Sequence, residues 1–235
     1  MTMMNLGGSA RLFALSAVIC TGLAGAATAA SIVTNGSFES GVPGNTLGLN
    51  HNALFGNLNS TGPSWDRWKN INGWSTIGGP GIEIQSNRTL STIDAHEGTK
   101  YVELDSNRNS AMVQSIALEV GSYMLSFWYS PRTSDPSTNG IEFNIGNALG
   151  YLTSGYATAG TPAPAKVGSW TKVWRIFNVT TAGNYDLRFA ANGVSDSYGG
   201  LLDSVDVAQV PLPAAGFGLM AALGGLAALR RRRKA

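Results

Sequence analysis

Charge is scarce in this 235-residue chain, where Asp, Glu, Lys and Arg make up 13% of the positions. Cysteine and histidine are scarcer still, with one and two residues. A single cysteine, Cys20, excludes a disulfide framework, a zinc ribbon and a Cys-ligated cluster. Two histidines are too few for a polyhistidine metal site. Catalytic signatures are missing as well: there is no G-x-S-x-G elbow, no phosphate-binding loop and no H-E-x-x-H. His96-Glu97 supplies the first pair of that last motif without its second His, and does so ahead of a predicted strand where the motif needs a helix. His96 and His51 therefore read as turn residues. A basic face is also lacking. Arg11 and the cluster Arg230, Arg231, Arg232, Arg233 and Lys234 lie at the two ends, and without them ten basic residues face fourteen acidic ones. The middle of the chain is thus acidic, and no nucleic-acid partner is expected, since phosphate neutralisation needs a cationic surface. What is plentiful is apolar residue (43%) and glycine (30), enough for a core with many turns.

The two ends read as addresses. Residues 1–30 have the form of a secretory signal peptide: Arg11 in the positive segment, a small-to-apolar run over 12–25, and Ala27-Thr28-Ala29 as the small-x-small cleavage pattern. Signal peptidase is the expected partner, cutting after Ala29 or Ala30. Residues 209–235 carry three parts in order: Val210-Pro211-Leu212-Pro213-Ala214, an apolar run over 215–229, and the Arg/Lys cluster. The run is short for a bilayer span, which usually takes ~20 residues; flanking residues or local thinning accommodate the difference. The basic cluster stays cytoplasmic by the positive-inside rule, which leaves the rest of the chain outside.

Between the ends, residues 31–208 form one domain of short alternating runs separated by Gly, Asn, Ser and Pro clusters, the all-β pattern. The clearest run is 123–130, with Tyr123, Leu125, Phe127 and Tyr129 on one face and Met124, Ser126, Trp128 and Ser130 on the other. Further strands are expected over 82–85, 101–105, 112–119, 141–145, 170–179, 185–189 and 201–207. Eight or nine strands in one domain predict two packed sheets, a jelly-roll β-sandwich. Residues 41–81, rich in Asn, Gly and Trp, show no convincing strand, and 132–140 and 153–168 are irregular too. Trp74, after Gly73, reads as core.

Two resemblances attach to these residues. The order of motif, apolar run and basic tail resembles the PEP-CTERM class of sorting signals in its VPLPA-CTERM variant. That resemblance implies an exosortase partner in a Gram-negative bacterium. The precursor would be anchored in the inner membrane by a single C-terminal helix, cut near the motif, and released to the cell surface or extracellular matrix. A plain membrane anchor that is never cut is the alternative. The opening Ile32-Val33-Thr34-Asn35-Gly36-Ser37-Phe38-Glu39 looks like the first strand of galactose-binding-like jelly-roll modules. Gly73-Trp74, Gly98-Thr99-Lys100-Tyr101-Val102-Glu103-Leu104-Asp105 and Leu201-Leu202-Asp203-Ser204-Val205-Asp206-Val207 continue that pattern. It implies a non-catalytic module that binds exopolysaccharide or another glycan. The alternatives are a structural or adhesive surface protein that binds proteins or itself, and a glycoside hydrolase.

Three sets of side chains are candidate sites. The galactose-binding-like resemblance implies a structural calcium between the first and last strands, held by Glu39 and Asp203 with Asp206 as a weaker third. Calcium takes six to eight oxygens, and the same acids can instead accept turn amides or pair with Arg or Lys. Trp65, Trp68, Trp128 and Trp174 are the aromatics not on an evident core face, and sugars stack on such rings while amides and carboxylates read the hydroxyls. Each could equally anchor a covering loop. Glu83, Glu103 and Asp105 lie on predicted strands and are the acids a hydrolase reading would pair across neighbours; alternation with Val102 and Leu104 makes Glu103 a solvated sheet-face residue, so no catalytic residue is assigned.

Overall fold

The computed structural model describes residues 29–40, 58, 63–158 and 166–211. These belong to one compact unit, Thr28–Pro211. Almost all of the signal peptide, Leu212, Pro213 and Ala214 of the sorting motif, the apolar run and the basic tail lie outside the described residues. Among the described residues no helix is long and apolar enough to cross a membrane.

Twelve strands appear among the described residues: β1 (Trp65–Trp68), β2 (Asn70–Ile71), β3 (Trp74–Gly78), β4 (Ile82–Ser86), β5 (Lys100–Glu103), β6 (Ala111–Leu118), β7 (Gly121–Pro131), β8 (Gly140–Asn147), β9 (Gly150–Ala157), β10 (Thr171–Val179), β11 (Gly183–Asn192) and β12 (Gly200–Gln209). They form two six-stranded sheets, β1-β4-β5-β12-β7-β10 and β2-β3-β6-β11-β8-β9. The pairings within both are antiparallel. The all-β, two-sheet expectation holds, and the arrangement is consistent with a jelly roll.

Alternation places the core. Tyr123, Leu125, Phe127 and Tyr129 all point inward from β7 and are buried. Phe127 meets Phe143 of β8 and Phe189 of β11 edge to face, with ring centroids 5.0 and 5.1 Å apart. Such geometry adds roughly 0.5–1.5 kcal/mol to each pair beyond area burial. Trp74 is buried as expected, 5.9 Å from both Phe38 and Phe189. It enters from Gly73, whose φ of 79° suits a residue without a Cβ.

Three expectations need correction. The stretch 41–81 contains β1, β2 and β3, and the irregular stretch 153–168 begins inside β9. β1 is buried on both faces and β9 is a largely exposed edge strand broken by a bulge, so neither shows simple alternation. Residues 32–39 form no strand. They run beside the end of β12 with only isolated backbone bonds: Ile32 N–H donates to Val207 O (2.8 Å) and Val205 N–H to Gly36 O (2.9 Å). Gln114 of β6 ties the same segment to the second sheet, accepting from Thr34 N–H (2.7 Å) and donating to Thr34 O (2.9 Å).

Candidate functional site

The outer face of the first sheet divides into a sealed half and an open half. Over β4 and β5 it is sealed. Register makes Glu83 and Glu103 direct cross-strand partners, with Arg67 beside Glu83 and Leu201 beside Glu103. The prediction of a solvated Glu103 fails: its exposure is 0%, and Glu83 is buried with it. Gln85 Nε2 donates to Glu83 Oε1 (2.8 Å) and to Glu103 Oε2. Arg132 Nη1 donates to Glu103 Oε1 and to Ser197 O, both at 2.7 Å, and Gly199 N–H donates to the same Glu103 oxygen. Burial and then the Glu83 charge push the Glu103 carboxyl well above its ordinary range, against the pull of Arg132. Burial likewise raises Glu83. Asp105 is buried too and accepts the Asp196 and Ser197 amides. These acids knit the loops around 132–139 and 193–199 to the sheet; none is placed where a polysaccharide could reach it.

The middle of the face is covered by the segment 87–99 between β4 and β5. It folds on itself through Arg88 N–H to Ile93 O (2.9 Å) and Ala95 N–H to Asn87 Oδ1 (2.7 Å). Ile93 then packs on Tyr101 and Leu201 in a small core of its own, joined by Trp170. Trp170 is fixed by its Nε1–H on Asp94 O (2.8 Å) and lies edge-on to Tyr101.

This covering segment delivers His96 to the open half. The imidazole stacks on Trp128 with centroids 3.9 Å apart and planes 16° from parallel. Its Nδ1 shares a 2.8 Å hydrogen bond with Ser204 Oγ. Ser204 sits in a bulge of β12 between Asp203 and Asp206, with φ of 48°. Bulges re-aim side chains next to binding sites. Beyond lies a cleft of about 400 Å³, within the roughly 300–1,000 Å³ of small-ligand sites. Ser126 and Asp206, partners in register, lie on its sheet side. Ser31, Val33, Gly36 and Ser37 form one wall; His96 on Trp128 forms the other, with Lys172, Glu97 and Ser204 adding polar groups. The lining thus combines one large aromatic surface with two carboxylates, one ammonium and several hydroxyls. Burial holds the His96 imidazole below its ordinary pKa, with Glu97 opposing the shift and Lys172 adding to it.

The four candidate tryptophans separate. Trp128 lines the cleft. Trp174 is 54% exposed and lies opposite Ser126, which puts it diagonal to Trp128 on the same face and within reach of an extended ligand. Trp65, opposite Gln85, is four strand spacings from Trp128, roughly 19 Å, so it does not share this cleft. Trp68 as a ligand-binding residue is corrected: it is 1% exposed, because β1 turns that position into the main core beside Ile82.

The calcium candidates are close neighbours. Glu39 accepts from the amides of Thr99 and Lys100, each at 2.7 Å, from Thr99 Oγ1–H (3.0 Å) and from the Lys100 ammonium (3.2 Å). Burial alone would raise Glu39, but these hydrogen bonds outweigh it and hold the carboxyl below its ordinary value. Asp203 accepts from the amides of Glu97 (3.0 Å) and Ser204 (2.6 Å). Its burial pushes it up to about 7, helped by the Glu39 charge. Among the described residues no group of three or more His, Cys, Asp or Glu could hold a metal ion. Both carboxylates are satisfied by N–H and O–H donors, with Lys100 supplying the positive charge. Calcium would have to displace that ammonium and recruit carbonyl oxygens, so the present geometry fits hydrogen bonding better than a cation.

His96, Trp170 and the covering segment were not foreseen from sequence. The only available signal was a His-Glu-Gly-Thr-Lys turn ahead of a strand; its pairing with Trp128 is a product of tertiary folding.

No family model matches the chain, and no curated protein does. Solved structures do resemble it. One is a cyclase from Fischerella sp. TAU in complex with 4-(1H-indol-3-yl)butan-2-one, at 15% identity and a TM-score of 0.51, covering 78% of this chain and 98% of that one. A second is the carbohydrate-binding module TmCBM61 in complex with beta-1,4-galactotriose, at 14% identity and a TM-score of 0.49, covering 77% and 99%. A third, a CBM4 structure, has 13% identity and a TM-score of 0.40 and covers 76% and 99%. At such identities the likeness speaks to fold alone. Function therefore has to be argued from the site.

Proposed function

We propose that this protein is an exported, exosortase-processed surface or extracellular-matrix protein whose β-sandwich binds glycan without catalysis. The observation that carries the glycan reading is the cleft beside Trp128. A pyranose has an apolar face for an aromatic surface and hydroxyls for Asp206, Glu97, Ser126 and Lys172, and the cleft has that mixture at suitable size. Support for a non-catalytic role comes from Glu83 and Glu103, which are buried and bridged where hydrolysis needs two carboxyl groups flanking an accessible bond. Sorting rests on the three-part order of residues 210–234.

Affinity electrophoresis through gels containing the host's own exopolysaccharide, or soluble neutral and acidic polysaccharides, tests the binding. The protein should be retarded by at least one of them, and Trp128→Ala should weaken that retardation at least tenfold, about 1.4 kcal/mol. Absence of retardation in every gel, or equal retardation of the variant, refutes the assignment to this cleft. The intact mass of the protein from its host tests the sorting: a retained 215–235 tail refutes processing.

A further inference from the structure

We propose that removal of the signal peptide completes the cleft beside Trp128. A cut after Ala30 turns the Ser31 nitrogen from a neutral peptide amide into an α-ammonium on the cleft wall, and the mature chain binds its glycan through that charge. This rests on the exported, glycan-binding reading above.

Two independent features meet at Ser31. The run of small residues over 27–30 directs a peptidase to the bond after Ala29 or Ala30. In the fold, hydrogen bonding starts with the next residue. Ser31 Oγ accepts from Val33 N–H (3.2 Å), and Ile32 N–H donates to Val207 O (2.8 Å). Gln114 then holds Thr34 through both its N–H and its carbonyl. Among the described residues no hydrogen bond reaches Ala29 or Ala30, and both are exposed. The bond between Ala30 and Ser31 thus lies at the border between exposed and fixed chain. A peptidase reaches such a bond readily, and cutting it removes no contact of the fold.

The position matters because Ser31 lines the cleft. While the signal peptide is attached, the charged side chains of the lining, His96 aside, are Glu97, Asp206 and Lys172, two negative and one positive. An α-amino group ordinarily titrates at roughly 7.7–8.0, so it is mostly charged at pH 7. The mature cleft therefore gains a second cation that balances its two carboxylates. The Ser31 nitrogen also offers three N–H donors where the peptide amide offers one. A charged donor makes stronger hydrogen bonds than a neutral amide, and sugar hydroxyls or carboxylates accept them. Because the peptidase acts during export, the site reaches full affinity only after the chain has left the cytoplasm.

N-terminal sequencing of the protein isolated from its host is the first test, and the first residue should be Ser31. That protein is then acetylated at its α-amino group, which removes the charge and restores an amide without restoring the signal peptide; peptide masses verify that the lysines stay unmodified. The mature form, the acetylated form and a chain beginning at Ala29 are run through the same polysaccharide gels. Acetylation should weaken retardation several-fold. The Ala29 chain should be weakened likewise, since its charge sits two residues outside the wall. A first residue other than Ser31, or equal retardation of the three forms, overturns this proposal and leaves the glycan reading standing. No retardation of the mature form in any gel removes the glycan reading, and this proposal falls with it.

Discussion

Replacing Asp203 by Asn should flatten the dependence of stability on pH between about 4 and 7. Asp203 is buried and accepts two backbone amides, yet desolvation dominates and pushes it up to about 7. An unfolded Asp titrates near ~3.9. Below about pH 4 the residue is protonated in both states and costs the fold nothing. Between about 4 and 7 the unfolded chain releases the proton while the folded chain keeps it, so stability falls as pH rises. Above about 7 both states are ionised and the loss is complete. Three units at about 1.4 kcal/mol each give on the order of 4 kcal/mol. Other groups also titrate. Glu83 and Glu103 are raised and act with the same sign, whereas Glu39 is lowered and adds stability above its unfolded pKa. All three are retained in the variant, so the comparison is between slopes. Asn also turns an NH2 toward one of the amide donors, which costs stability at every pH and leaves the slope alone. The assay is urea unfolding of both proteins in chelator at pH 4, 5, 6, 7 and 8. Curves that run parallel across that range would refute the reasoning. Repeating the series in calcium tests the calcium expectation for Glu39 and Asp203: a bound divalent cation would flatten the wild-type slope, and an unchanged slope would remove calcium from the site.

Two further perturbations separate core from cleft and test the anchoring of residues 31–38. Trp68→Ala should cost ~3–5 kcal/mol, since it empties a fully buried aromatic position; for a domain of this size that is a fall in Tm of about 10 °C. Trp128→Ala should move Tm by much less, so comparing the two melts distinguishes a core ring from a ring that lines a cleft. Gly36→Ala would place a Cβ 1.9 Å from Val205 O and should break the bond from Val205 N–H to Gly36 O. Hydrogen exchange at the Val205 amide should then accelerate at least tenfold, about 1.4 kcal/mol; unchanged protection would show that the segment tolerates the added carbon.

What the sequence revealed follows from which faces water reaches. β7 alternates because its inner face packs on the second sheet while Met124 and Trp128 on its outer face stay partly open, and its phase was read correctly from Tyr123 to Tyr129. β1 was invisible because Asp66, Arg67 and Trp68 are all buried, Arg67 with a partner far along the chain, Asn107. β9 was invisible for the opposite reason: its exposed edge needs no apolar stripe, and its bulge breaks the period. Glu103 alternates with Val102 and Leu104 as a solvated residue would. Its burial depends on Arg132, supplied from 29 residues away, and local pattern carries no trace of that. Trp128 stood out because Ser126 and Ser130 flank it on the outer face. His96 did not, because its stacking depends on a segment that folds over three strands.

The acids most suggestive of catalysis in the sequence and the aromatic most suggestive of binding share one face of one sheet, and the structure gives them opposite environments. A carboxylate pair side by side in a dry site is tolerated only when charge is neutralised locally. Here Arg132 supplies the countercharge, while Gln85 and a backbone amide donate hydrogen bonds to the carboxyl oxygens. The same contacts hold the loops around 132–139 and 193–199 against the sheet, since Arg132 also reaches Ser197 O and stacks 5.0 Å from the Tyr198 ring. Rigidity on that half serves the other half. The covering segment rests on Tyr101 and Leu201, which sit on strands pinned by this cluster, and His96 and Glu97 reach the cleft from its far end. The buried acids thus belong to the scaffold that fixes the cleft wall. A site held in this way loses little conformational entropy on taking up a ligand, which is the property a binding module needs and for which no catalytic carboxylate is required.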